Sequence, residues 1–362
     1  HYCNFHFSTS VKNKNEVIQA MCKEIELKSK NFNDVIETLY FGGGTPSFLD
    51  ITEINSFIEL VLKKFKTSSD LEITLEANPD DLTTNKLKEL SKSNINRLSI
   101  GVQSFLDYDL KIMNRAHNSK DSKKCLEIAQ NYYENISIDL MYGIPDSTLE
   151  SWQYNLDLAI SYNTNHISAY ALTIEPKTAL DRYIKKGVIK LLDEEIVFKQ
   201  YELMSKKFKQ TDYINYELSS FAKKGFFSKN NTAYWLRKKY IGIGPSAHSF
   251  DSKSRSWNIS NNNLYVKAIK NNEMYFETEK LTKTDKYNEY IMTGLRTMWG
   301  VSQDYLKENF GLNYEKHFIE KSQKFLNSKH LQIEKNVVKT TLDGKFLADG
   351  IASELFIVNL KN

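Results

Sequence analysis

The sequence predicts an α/β chain, a partial barrel of (β/α)6 type followed by a small helical, winged-helix-like domain. Three observations predict it. Short apolar runs alternate with amphipathic stretches from about residue 13 to residue 220, polar residues gather where those runs end, and past about residue 280 the rhythm changes to helices followed by a hairpin. A chain of 362 residues with 41% hydrophobic content can bury one large core and one smaller one, which excludes overall disorder.

The elements follow in order. Buried strands are expected at Ile36 to Phe41, Leu71 to Glu76, Arg97 to Gly101, Ile136 to Met141, Ile167 to Leu172 and Tyr213 to Leu218, each rich in β-branched and aromatic residues. Amphipathic helices are expected at Lys14 to Ser29, Thr52 to Phe65, Thr84 to Ser93 and Asp193 to Lys209, where apolar positions recur at intervals of three and four. Polar residues after the strands (the Gly42 to Ser47 loop, Glu76 to Asp80, Gln103, Ser104, Asp139 and Glu175) belong to one mouth of such a barrel, the carboxyl-terminal one where ligands bind. Residues 221–280 read as an extension, whose Asn-, Ser- and Lys-rich part from 251 reads as a connector with little core of its own. Residues 281–362 carry helical runs at Lys286 to Trp299, Ser302 to Asn309 and Tyr314 to Ser328, then the apolar pair Leu331 to Val338 and Lys339 to Leu342, then a last helix.

Charge and cysteine content narrow the function. With 49 basic against 45 acidic residues, interspersed, the chain has no electrostatic case for nucleic acid, so the winged-helix-like end reads as a structural cap or partner surface. No apolar run approaches the ~20 residues of a membrane span, and membrane contact is expected to be transient at most. Cys3, Cys22 and Cys125 are too few and too scattered for a disulfide framework, which fits a reducing compartment, the cytoplasm.

Four stretches carry chemistry. Tyr40-Phe41-Gly42-Gly43-Gly44-Thr45-Pro46-Ser47 runs a strand into three glycines, which lets a ligand approach the main chain. A Walker loop is excluded because no Gly-Lys-Ser/Thr follows, and the dinucleotide fingerprint fails on spacing. Glu76-Ala77-Asn78-Pro79-Asp80 places a carboxylate at a strand end, suited to ribose hydroxyls. Arg97 to Phe105, with Arg115-Ala116-His117 after it, and Ile138-Asp139-Leu140-Met141-Tyr142-Gly143-Ile144-Pro145 add an amide, a guanidinium and a second carboxylate. Each alone also suits an ion pair or a cap. Together at successive strand ends they suit a zwitterionic nucleoside.

In order and spacing, Cys3-Asn4-Phe5, GGGTPS, ExNPD, GVQSF, RAH and DLMYGIP resemble the HemN/HemW-type radical SAM (S-adenosylmethionine) family, the oxygen-independent coproporphyrinogen III oxidase-like proteins, over essentially the whole chain. The resemblance implies a radical SAM barrel with a 4Fe-4S cluster held by a C-x3-C-x2-C loop, three thiolates for four irons leaving one iron open to SAM. It implies that Cys3 is the last of the three ligands, with two further cysteines expected upstream of His1, three and seven residues before Cys3. It also implies SAM contacts by Tyr2, Gly43, Gly44, Thr45, Glu76, Gln103, Arg115 and Asp139. Cys22 and Cys125 read as ordinary buried thiols.

Within that family the coproporphyrinogen oxidases carry a further cysteine two positions beyond the third ligand. This chain has Phe5 there, as in the HemW branch, whose resemblance implies a heme chaperone that binds SAM and the cluster and passes heme to acceptor proteins. The alternative is a radical SAM oxidoreductase of the coproporphyrinogen dehydrogenase type, acting on a porphyrin precursor. Asn230-Asn231-Thr232-Ala233-Tyr234-Trp235 matches the branch's HNxxYW block except at its first position, where Asn230 replaces the histidine; a carboxamide is a poor iron ligand, and His248 is the nearest imidazole.

Overall fold

The computed structural model describes residues 13–176 and 178–358. The first unit is helix α1 (Lys14–Ser29) and strand β1 (Ile36–Phe41), followed by α2 (Ile51–Lys64), β2 (Thr67–Ala77), α3 (Thr84–Leu90), β3 (Arg97–Gln103), α4 (Asp107–Ile112), α5 (Ser119–Ala129), β4 (Ile136–Tyr142), α6 (Leu149–Ser161) and β5 (His166–Ala171). These five strands run parallel in sequence order. Helix α2 shows why the units form. Asp50 and Glu53 close a capping box at its start, and Ile54, Phe57, Ile58 and Val61 recur on one face and are buried.

The period of two along each strand sorts side chains into two environments. Leu75, Leu98, Ile100, Ile138, Leu140 and Ile167 face the helices and are fully buried. Tyr40, Glu76, Ser99, Asp139 and Ser168 fall on the opposite, concave face. The charge of Asp139 on β4 acts on Tyr40 on β1 and on Glu76 on β2, as the sheet's curvature allows.

Helices α7 (Ala179–Lys185) and α8 (Glu194–Lys209) lead to β6 (Ile214–Asn215) and β7 (Ser220–Ala222). The sheet order is β1-β2-β3-β4-β5-β7-β6, and β7 pairs with β5 antiparallel. The run expected as a sixth parallel strand is therefore a hairpin. Asn215 Nδ2 donates to the carbonyls of Glu217 and Ser220, and Glu217 accepts from the Ser219 N–H, closing the turn within eight residues where a parallel return needs a crossover.

Helix α9 (Lys229–Trp235) lies on the concave face of β1 and β2. The buried Glu72 carboxylate accepts from the N–H groups of Lys229 and Asn230 at 3.1 and 3.2 Å, and Thr38 donates to Asn230 Oδ1 at 3.1 Å. A second sheet, β10-β9-β8, comprises β8 (His248–Phe250), β9 (Ser254–Asn258) and β10 (Phe276–Lys280), with α10 (Asn262–Asn271) between the last two. This corrects the reading of 251–280 as a connector with little core of its own: Tyr265, Val266, Ala268 and Ile269 of α10 are buried against Ala20 of α1. The long-range contact with α1 supplies the core that the polar composition conceals.

A single carboxylate organises that junction. Glu24, fully buried on α1, pairs with Lys28 at 2.8 Å and accepts from the Gly244 N–H at 2.8 Å, Asn258 Nδ2 at 2.7 Å and the Tyr265 hydroxyl at 2.5 Å. A buried charge is stable only with this degree of compensation.

The remaining chain forms α11 (Lys283–Leu295), β11 (Val301–Ser302), α12 (Gln303–Phe310), α13 (Leu312–Asn327), β12 (Leu331–Glu334), β13 (Val337–Thr340), α14 (Leu342–Phe346) and α15 (Ala348–Glu354) around Tyr287, Ile291, Leu295, Phe318 and Val338. The hairpin turns at Lys335–Asn336, both left-handed, rather than after Val338. Phe346 packs on Phe198 and Tyr201 of α8, and the Met298 N–H donates to the Tyr216 carbonyl, joining this unit to the barrel. Among the described residues, no helix is long and apolar enough to cross a membrane.

Two stability predictions follow from buried charge. Glu24→Ala strands Lys28, Asn258, Tyr265 and a backbone N–H together and should cost about 3–5 kcal/mol, read as a fall in denaturant midpoint at unchanged slope. Burial lowers the pKa of Lys345 on α14 to about 8, against the pull of Glu217, which raises it. Between pH 8 and the ordinary lysine range near 10.5 the unfolded chain binds the extra proton, so this lysine's contribution to stability should rise with pH. The wild-type deficit relative to Lys345→Met should accordingly shrink in melts taken from pH 7.5 to pH 10.

Candidate functional site

The carboxyl ends of β1, β2 and β3 place the sequence motifs beside one another. Glu76 leaves β2 on the concave face, where the Tyr40 hydroxyl donates to Oε1 at 2.7 Å and the Gly43 N–H to Oε2 at 3.2 Å. Burial raises the Glu76 pKa, and the Tyr40 hydrogen bond works against it. Gly42 is forced by this pair: a Cβ there would stand 2.6 Å from Tyr40 Cε1 and 2.8 Å from Glu76 Oε1. Gly43 takes φ +79°, and among the described residues nothing stands within 4 Å of where a Cβ on it or on Gly44 would lie. The loop is fastened from behind. Ser47 donates to Asp81 at 2.6 Å, and Lys86 donates to the Ser47 carbonyl at 2.9 Å.

The amide and guanidinium meet one strand further on. Arg115 donates to Asn78 Oδ1 at 2.5 Å and to the Gly101 carbonyl at 3.0 Å. Gln103 adopts φ +65°, an uncommon conformation for a residue with a side chain, and its amide lies with Arg115 against Gly101. His117 of the Arg-Ala-His motif plays a structural part. It is buried, its Nε2 lies 3.1 Å from the Val102 carbonyl, and burial lowers its pKa, so it is neutral.

Asp139 stands deeper. Ser99 and Ser137 donate to its two oxygens at 2.9 and 3.1 Å, burial raises its pKa, and the nearby Arg97 guanidinium opposes that shift. Below it the buried His166 lies 2.8 Å from both the Ser137 and the Tyr216 hydroxyls, held neutral chiefly by desolvation. Arg97 is 2% exposed and its Nε has no hydrogen-bond partner among the described residues.

One cleft of ≈ 2090 Å³ opens beside these groups. Gly43, Gly44, Thr45, Glu76 and Asn78 line one end; Tyr170, Tyr234, Tyr240 and His248 line its wall, and Asn230 lies on it too. Arg115 reaches the cleft through Asn78, whereas Gln103 and Asp139 stand behind its surface. Tyr2 and Cys3 lie outside the described residues. Cys125 is the buried thiol that the sequence reading expects, whereas Cys22 is only half-buried. Burial raises both thiols, Cys125 to about 12, so neither is a ready thiolate. The structure adds Tyr40, Asn78 and Tyr170 to the lining of the cleft and Arg97 behind it, none of them singled out as a contact by the sequence reading. The period of two carried the signal, since Tyr40 stands two residues before Gly42 and Asn78 two after Glu76.

The donor set fits a zwitterionic nucleoside. A glycine turn open on its outer side among the described residues, a half-buried carboxylate that accepts hydrogen bonds at both oxygens, and a carboxamide backed by a guanidinium share the mouth.

Comparison with known proteins agrees with the geometry. Residues 1–159 match the Radical SAM superfamily and residues 281–347 the HemN C-terminal domain. The chain is similar to the heme chaperone HemW of Bacillus subtilis (strain 168), 33% identical over 97% of this chain and 94% of that protein. It is also 33% identical to the heme chaperone HemW of Buchnera aphidicola subsp. Acyrthosiphon pisum, over 89% and 85%. Among solved structures, coproporphyrinogen III oxidase (HemN) from Escherichia coli superposes with a TM-score of 0.83 at 19% identity, covering 98% of this chain and 86% of that one, which establishes a shared fold. Matched on sequence over nearly its whole length, and on fold through both barrel and C-terminal unit, the chain belongs to the HemW family of radical SAM proteins.

Proposed function

We propose that the chain is a heme chaperone that binds SAM beside a 4Fe-4S cluster and passes heme to acceptor proteins in the cytoplasm. The observation that carries this reading is the pairing of an intact nucleoside-shaped mouth with near-full-length similarity to proteins named heme chaperone HemW. Glu76 would take the ribose hydroxyls, Gly43, Gly44 and Thr45 the methionine end, and Gln103, Arg115 and Asp139 the remaining polar edge, Arg115 through Asn78. Tyr2 would add a contact, and Cys3 would be a thiolate ligand of the cluster. Such a cluster supplies single electrons to the bound sulfonium. The chain's own groups hold the nucleoside and exclude water. Residues 1–220 would form the SAM barrel, 221–280 its extension, and 281–362 a cap or acceptor-facing surface. The oxidase reading rests on a 19% identical structure, which carries fold alone.

Three measurements test the reading. Hemin titration of the cluster-loaded protein should give a saturable Soret complex, and its absence refutes the chaperone reading. SAM affinity should weaken on acidification while the pH is still above the ordinary glutamate range, because the raised Glu76 carboxyl takes up its proton early and ceases to accept from both hydroxyls. Glu76→Gln should remove that pH dependence and bind SAM about 10- to 100-fold more weakly, the equivalent of a charged hydrogen bond of about 1.5–3 kcal/mol. Gly44→Ala, with open space for its methyl, should melt like wild type yet bind SAM more weakly, whereas Gly42→Ala should lose stability.

A further inference from the structure

The cleft holds more than the nucleoside mouth requires. Among the described residues its ≈ 2090 Å³ exceeds the ~300–1,000 Å³ of common small-molecule sites, a volume sufficient for a flat macrocycle as well as a nucleoside. Part of its lining has aromatic character: Tyr234 meets Tyr240 edge-on with ring centroids 4.7 Å apart, and Tyr240 lies 6.0 Å from Phe250. Flat conjugated rings stack on such surfaces.

The donors on that wall differ in their capacity to ligate iron. Asn230 offers a carboxamide whose oxygen already accepts from Thr38. Tyr234 and Tyr240 are phenols kept protonated, chiefly by burial, and so do not supply phenolate readily. The Met21 thioether is packed against Gly244, 3.5 Å from where a Cβ would stand. His248 is the one histidine lining the cleft among the described residues, and its side chain is exposed there.

The backbone beneath His248 is held firmly. Gly242 lies so close that a Cβ would stand 2.1 Å from the His248 carbonyl oxygen, and its N–H donates to Ser249 Oγ at 3.0 Å. Lys28 donates to the Gly242 carbonyl at 2.8 Å, Glu24 accepts from the Gly244 N–H, and the Asn258 N–H donates to the Ala247 carbonyl at 2.9 Å. The imidazole itself lies against Trp257, its partner across the β8–β9 pair, with centroids 6.3 Å apart. An exposed ring on a fixed backbone is a pre-organised ligand.

We infer that His248 is an axial iron ligand for a heme macrocycle held against the aromatic wall of this cleft, the assignment resting on the heme-chaperone reading. Neutral imidazole binds such iron through one ring nitrogen, and Asn230 takes no part in ligation.

Hemin titration of the full chain, followed by absorption and circular dichroism, tests the assignment with wild type and His248→Ala side by side. The expected result is at least a 10-fold weaker complex with a displaced Soret maximum in His248→Ala, restored toward the wild-type spectrum by added imidazole. An unchanged Soret maximum and affinity in folded His248→Ala overturns the ligand assignment and leaves the heme reading standing. A loss that imidazole does not reverse also overturns it, since the histidine then acts on structure alone. No saturable complex in wild type overturns the heme reading and the assignment together. If His248→Ala fails to fold, His248→Met decides: a changed ligand-field spectrum supports the assignment, and a wild-type spectrum overturns it.

Discussion

Every parallel strand of this sheet has to present two unlike faces, and the rest of the molecule depends on that demand. On β3, Leu98, Ile100 and Val102 go to the helices while Arg97, Ser99 and Gln103 alternate with them. The apolar face supplies the stabilising burial. The polar face would be a liability in an ordinary barrel core, where branched aliphatic residues fill the interior. Here it is tolerated because the groups compensate one another: Asp139 takes the Ser99 and Ser137 hydroxyls, His166 sits between that same Ser137 hydroxyl and the Tyr216 phenol, and Glu76 takes a phenol and a backbone N–H.

That arrangement explains the electrostatics of the mouth. Glu76 and Asp139 are both penalised by burial, Glu76 also by the Asp139 charge, and Arg97 offsets part of the penalty for both. The result is a pair of carboxyls that accept hydrogen bonds and hold a proton more readily than free ones. Such a pair suits a ligand that brings its own positive charge.

Much of this was legible in the sequence because it is local. The 36–41 and 14–29 segments form as the periodicity predicts, and the strand-end motifs surround one mouth. What was not legible depends on partners distant along the chain. The hairpin at 214–222 is written in Asn215 and Glu217, whose side chains serve backbone groups only once the turn exists. The core of 251–280 needs α1, more than 200 residues away, to cover Tyr265 and Ile269. Glu72 reads as an ordinary strand residue until α9 brings its first N–H groups to the carboxylate. Arg97 is legible as part of a motif and illegible as a buried charge, because burial is a property of the folded, curved sheet.

Glu24 has a mechanical consequence. The helix that follows the cysteine-bearing segment and the turn that leads to His248 are fastened to the same carboxylate. They cannot shift independently without leaving a charge stranded. Moving α1 relative to that turn would break contacts to a buried charge, so the two are expected to behave as one rigid support beneath His248.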